Sequence, residues 1–362
     1  RQGPRPAARG RGPPRGAREA MCGRGACTLS AERCRRVAGP RGRVRAQLRQ
    51  AERLRPRYNL GPTGYVPVVR HAEASEAGPP AREVCAMRWG LVPAFAKSAD
   101  DFDLFKGGSS TFNARVEGCA SSGIWRRLVE RRRGVVLLDG FYEWKTSGKS
   151  KAPVFVRHRD EYAGGAIGWP CQGAAEEEPE PPQKGGADGP RHAPLLLAAL
   201  YDAWRPRGEG GGEAAADGVS AQGEVLESTA ILTMDPMGTP MDQVHDRMPV
   251  FLTPETASAW LDPARSFADV VAPVLEASTA HAREQLLLYE VSPLVSKIGN
   301  ESPDCILPKK EYDGRQLAKG LGRFFKRKGE DAAEAAEAAS SQRAAKTAKT
   351  GDGAPVAVID LD

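Results

Sequence analysis

Five short segments place ionisable and polar side chains inside apolar or glycine-bounded sequence. They are Met21-Cys22-Gly23-Arg24, Met87-Arg88-Trp89-Gly90-Leu91-Val92-Pro93, Phe112-Asn113-Ala114-Arg115, Asp139-Gly140-Phe141-Tyr142-Glu143-Trp144 and Val244-His245-Asp246-Arg247-Met248-Pro249. Cys22 has the most distinctive potential. With Met21 removed, one residue would carry two nucleophiles, a thiol of ordinary pKa about 8.5 and an α-amine of about 7.7–8.0. The amine of such an aminothiol condenses with an aldehyde to an imine. The thiolate then closes on the imine carbon to give a thiazolidine ring. Arg24 could lower the thiol pKa. The alternative is a small buried apolar residue beside a start codon, the commoner fate of a free cysteine.

Glu143 alternates with aromatics. Strand alternation puts it on the face of Phe141, opposite Tyr142 and Trp144. A carboxylate among apolar groups suits acid–base work near neutrality; a solvated position on an edge strand is an equal alternative. His245, one of five histidines, could shuttle protons, with Asp246 and Arg247 to orient it or hold phosphate. A lone histidine is otherwise structural. Asn113 and Arg115 share a face of an extended segment, an amide for a sugar hydroxyl and a guanidinium for phosphate. Trp89, beside Arg88 and near Pro93, reads as a stacking platform for single-stranded nucleic acid, against core packing as the usual use of Trp. Cys22, Cys27 and Cys34, with four and six residues between them, lack metal-knuckle spacing.

The elements that must position these groups are mainly strands. Apolar runs predict strands at Tyr65–Val69, Val84–Trp89, Val135–Leu138, Phe141–Trp144, Val154–Arg157, Leu195–Leu200, Thr229–Thr233 and Gln285–Val291. Helices are expected at Ser30–Ala38, Trp125–Arg132 and Pro254–Leu261, the last capped by Thr253 with Pro254 at its first position. Many strands without βαβ alternation indicate an α+β fold with an antiparallel, barrel-like sheet, a few peripheral helices and disordered tails.

The 362 residues include 40 Gly and 29 Pro, more loop-forming residues than one compact domain needs. Residues 1–20 hold six arginines against Glu19 and supply +5 of the +6 net charge. Their composition predicts a disordered basic leader absent from a mature chain that starts at Met21. One domain is expected over 21–310, with disordered insertions near 163–193 and 205–224, followed by a disordered tail over 311–362. No apolar run approaches the ~18 residues of a membrane helix. Seven cysteines, an odd number, fit a reducing intracellular compartment better than a disulfide scaffold.

Together with Arg57-Tyr58-Asn59 and Pro62, the five segments resemble the SRAP family, the SOS-response-associated peptidases, from about Met21 to Pro308. The resemblance implies a nuclear, cofactor-free monomer at replication forks that binds single-stranded DNA and its junctions with duplex. It implies that Cys22 cross-links abasic sites through a thiazolidine. Asn113 would position the sugar, Glu143 would serve as acid and base in formation and reversal of the link, and His245 would open the sugar ring. Arg24, Asn59, Trp89, Arg115 and Arg247 would hold phosphates and bases. A thiol autopeptidase using Cys22, His245 and Asn113, or a non-covalent reader of modified DNA, would use the same residues differently. In the tail, Leu321, Phe324 and Phe325 resemble half of a sliding-clamp-binding box, and Lys326-Arg327-Lys328 could aid nuclear import. Val356, Val358 and Ile359 resemble a SUMO-interaction strand.

Overall fold

A computed structural model describes residues 23–39, 48–72, 82–99, 111–159, 193–206 and 225–320, and a few positions between 334 and 341. The leader, Met21, Cys22, the two insertions apart from residues 193, 205 and 206, and the clamp-like, basic and SUMO-like tail motifs lie outside the described residues. The chain divides into two units, 1–307 and 308–362. In the second, residues 309–320 are helical, where the sequence reading expects a disordered tail from 311. Ion pairs one turn apart, Lys309–Asp313 and Arg315–Glu311, support that helix.

The first unit is built on two sheets, an α+β arrangement. Five strands form an antiparallel sheet in the order β12 (Leu286–Glu290), β8 (Ser150–His158), β7 (Gly140–Ser147), β1 (Gly25–Cys27) and β2 (Arg57–Leu60). The other sheet closes into a five-stranded barrel: β10 (Leu226–Met234), β4 (Arg82–Trp89), β3 (Tyr65–His71), β6 (Arg133–Leu138), β9 (Leu195–Trp204) and back to β10. All its pairings are antiparallel except β10 with β4. Closure removes the sheet edges and covers the inner face of its strands, and elements packed outside the barrel cover the other face. Every residue of β6 and the first eight of β9 are therefore buried, and these strands read as continuous apolar runs rather than alternations.

β10 has a further role. Its N-terminal half pairs with β9 and β4. Its C-terminal half continues with β5 (Asn113–Arg115) on one side, Ile231 opposite Asn113, and with β11 (Met248–Pro249) on the other, Thr233 opposite Pro249. Two sequence-distant motifs thus meet across one strand end. The helices are α1 (Ala31–Ala38), α2 (Pro254–Leu261) and α3 (Phe267–Glu284). Ser30 caps α1, and Thr253 closes a capping box with Thr256 on α2, as the sequence indicates.

The helix expected at Trp125–Arg132 does not form. Trp125, Leu128 and Val129 do bury at helical spacing. The backbone instead mixes three- and four-residue bonds, Leu128 N–H to Trp125 O at 2.8 Å and Arg132 N–H to Leu128 O at 2.8 Å, in a run of turns.

Candidate nucleic-acid interface

Gly23 is the described residue next to Cys22, and three elements converge on it. β1 pairs with β7 at Gly25–Phe141 and Ala26–Gly140, and Tyr142 N–H donates to Arg24 O at 2.9 Å. The same register, continued one residue, sets Glu143 across from Gly23. On its other side, a Cβ built on Gly23 would stand 3.6 Å from Phe112 Cε2 and 4.0 Å from Pro62. Phe112 adjoins Asn113, and its carbonyl accepts from Ile231 N–H on β10 at 3.0 Å. Glycine is also needed at 140, where a Cβ would fall 2.4 Å from Phe155 Cζ, too close for β7 to stay paired with β8.

Glu143 is buried in an interior strand with only 4% of its surface exposed, so the solvated edge-strand alternative does not apply. The alternation is as the sequence indicates. Phe141 joins the main core against Phe251, while Tyr142 and Trp144 pack into the small cluster of Ala26, Phe155 and Val295. Glu143 therefore shares the main-core face.

Gly23 also lines a cleft of about 710 Å³ whose walls include Arg24, Arg53, Arg55, Arg57, Pro62, Tyr65, Phe112 and the exposed Ile298. Four guanidiniums in one cleft suit a polyanion. Arg24 is half-buried, which lowers its pKa through desolvation, partly offset by Tyr142. Its guanidinium lies 6.0 Å from the Trp144 ring centre and donates to Asn59 Oδ1 at 2.8 Å and Val295 O at 3.1 Å. Arg53 covers the Tyr65 ring and bonds its hydroxyl. Arg57 pairs with Glu301 at 2.6 Å, and the same carboxylate accepts from Tyr58 and Asn59 N–H, covering the edge strand β2. Thr63, on the cleft wall, has φ of 73°, a strained conformation for a β-branched residue.

At the end of β10, Arg115 is exposed and Asn113 half-buried. Arg247 Nη2 donates to Thr233 O at 2.6 Å, and its Nη1 and Nη2 grip both Glu117 oxygens at 2.7 and 2.8 Å. Arg247 N–H donates to His245 Nδ1 at 3.1 Å, while Asp246 Oδ1 lies 3.0 Å from the same nitrogen. Nδ1 serves one partner at a time: unprotonated it accepts from Arg247, protonated it donates to Asp246.

Two expected DNA contacts are corrected. Trp89 is fully buried, its indole N–H donating to Phe112 O at 3.0 Å, so it offers no ring face to a base. Trp144 is a partly exposed aromatic beside an arginine of the cleft. Asn59 is 1% exposed and spends its amide on Val295 O and Lys297 O at 3.0 and 2.9 Å, so it holds Arg24 rather than a phosphate. Arg53 and Arg55 escape the sequence reading. Their signal is the alternation Arg53-x-Arg55-x-Arg57 just before β2. Among the described residues no cluster of His, Cys, Asp and Glu forms a metal site, and no helix is long and apolar enough to cross a membrane.

The family model for SOS response associated peptidase (SRAP) matches residues 21–298. The chain is 32% identical over 300 residues to the abasic site processing protein HMCES of Gallus gallus, covering 80% of this chain and 78% of that one. It is 29% identical to HMCES of Xenopus tropicalis, covering 79% and 78%. Among solved structures, a protein from Bacteroides thetaiotaomicron superposes with a TM-score of 0.50 at 19% identity, over 79% of this chain and 99% of that one, a likeness of fold. Because the family model spans residues 21–298 of the 362, the chain belongs to the SOS response associated peptidase (SRAP) family.

Proposed function

We propose that this protein senses abasic sites in single-stranded DNA and captures them covalently through Cys22, freed as the N-terminal residue by loss of Met21. The observation that carries the reading is the convergence at Gly23. The residue next to Cys22 faces Glu143 in register, lies beside Phe112, the neighbour of Asn113, and lines a cleft walled by four arginines. The relatives' names, abasic site processing protein, agree with it.

In the proposed reaction the ring-opened deoxyribose presents an aldehyde. The α-amine of Cys22 adds to the aldehyde carbon. Glu143, as the general acid, gives a proton to the departing hydroxyl, and one water leaves as the imine forms. The thiolate then adds to the imine carbon, the nitrogen takes up a proton, and the thiazolidine closes. His245 moves the proton that opens the sugar ring, and Asn113 orients the sugar. Arg24, Arg115 and Arg247 neutralise flanking phosphates, while Trp144 offers a ring face to a base.

The test is a denaturing gel of protein started at Met21 mixed with single-stranded DNA bearing one abasic site. A heat-stable shifted band that disappears in Cys22→Ala is expected. Binding without that band would leave a non-covalent reader. Activity retained after acetylation of the α-amine would instead indicate a thiol peptidase.

A further inference from the structure

Glu117 stands where a DNA-binding protein gains nothing from a negative charge. It occupies the 3₁₀ turn Val116–Gly118, directly after Asn113-Ala114-Arg115 on β5. Its side chain is 53% exposed, against 15% for its partner Arg247. Burial alone would raise its carboxyl pKa, but the hydrogen bonds and charge of Arg247, helped by Arg115, bring it below the ordinary value, so it is ionised at neutral pH. A carboxylate beside Arg247 and Arg115 repels phosphate. Its cost to binding calls for another benefit.

The geometry supplies one. The carboxylate grips the Arg247 guanidinium with both oxygens, at 2.7 and 2.8 Å, while Thr233 O on β10 takes a further Nη2 hydrogen at 2.6 Å. A paired fork fixes direction as well as distance. The bridge ties the exit of β5 to the entrance of β11, two strands of three and two residues that have little pairing of their own. The main chain of the clamped residue in turn donates to His245 Nδ1 at 3.1 Å, which leaves the proton of a neutral ring on Nε2.

We infer that Glu117 is a positioning residue: it clamps Arg247 and, through the Arg247 main chain, holds His245 in the tautomer and orientation that capture the lesion. This rests on the proposed function. Glu117 trades affinity for alignment, so its removal moves binding and capture in opposite directions.

The test uses protein translated from Met21 and compares Glu117→Gln and Glu117→Asp with the unaltered protein. Affinity is measured on an intact single strand, and capture rate on an abasic strand at saturating DNA. Glu117→Gln is expected to bind the intact strand about twofold more tightly, having lost a charge that repels phosphate. It is expected to capture about tenfold more slowly, the scale of a small misplacement of reacting groups. Glu117→Asp restores part of the rate, and nitrogen-15 spectra show His245 mixing tautomers in Glu117→Gln alone. Affinity and rate falling together, as a folding defect produces, overturn the inference. An unchanged rate, or a rise in both quantities, does the same. No adduct from the unaltered protein overturns the function itself, and this inference with it.

Discussion

Asn59 shows how one buried amide can place a cationic side chain. Its Oδ1 accepts from Arg24 at 2.8 Å, and its Nδ2 serves Val295 O and Lys297 O. All three links cross from β2 to other segments, so the residue fastens the Lys297–Glu301 loop and aims Arg24 into the cleft. Asn59→Ala leaves Lys297 O short of a donor, Val295 O with Arg24 alone, and Arg24 without one of its two acceptors. Chemical denaturation is expected to show a loss of about 2–3 kcal/mol, the scale of unsatisfied buried groups, with weaker binding of single-stranded DNA. A variant of unchanged stability would contradict this role. At this scale the sequence is informative about types and weaker on assignments. Cys22, Asn113, Glu143 and His245 stand out because polar groups interrupt apolar runs. Asn59 and Trp89 stand out equally, yet both turn inward, because burial depends on partners distant in sequence, Val295 for one and Phe112 for the other.

Elements follow the strength of their local signals. The eight long strands and two of the three expected helices are legible because apolar periodicity and caps are local. β1, β2, β5 and β11 span two to four residues and exist because β7 offers an edge to β1, β1 to β2, and β10 to β5 and β11, a fact no short window contains. Helix α3 is hidden by Pro273, which lacks the N–H a helix interior uses. That helix carries His281 onto Phe251, ring centres 5.8 Å apart, and beside His158 at 5.3 Å. Burial, then the repulsion of His158, lowers the His281 pKa from 6.5 to about 4. Between those values the unfolded chain takes up a proton that the folded chain refuses. Stability is therefore full above pH 6.5 and falls toward pH 4, by up to about 3 kcal/mol. His281→Phe keeps the stack and is expected to flatten urea midpoints across that window. An equally steep decline in the variant would assign the loss elsewhere.

The whole molecule separates stability from chemistry. At the N-terminal end of β10, Glu227 joins Glu83 and Arg70 in a buried network, with Arg70 2.8 Å from each carboxylate. Tyr201 packs under Arg70. The C-terminal end of the same strand pairs with β5 and β11, which bring in Asn113, Arg115 and Arg247, among the residues proposed to meet the lesion. The net charge is a poor guide to binding, since most of it lies in the first twenty residues; the cleft concentrates arginines locally. If Arg24, Arg53, Arg55 and Arg57 each meet a phosphate, these four contacts together add about −3 to the slope of log affinity against log salt, about −0.7 per contact on a single strand. Among the described residues Arg55 bonds only its neighbour's carbonyl, so Arg55→Ala is expected to shrink the slope by about 0.7 without loss of stability. A slope unchanged in that variant would place the strand elsewhere.

The central claim concerns two atoms of one residue, and intact mass spectrometry of the purified cross-link tests it most directly. The account predicts the mass of the chain beginning at Cys22 plus the abasic strand, less one water. Borohydride should leave that mass unchanged, since a closed ring has no imine to reduce, and peptide mapping should place the link on Cys22. A cross-link on a lysine, or one that borohydride makes two hydrogens heavier, would contradict it.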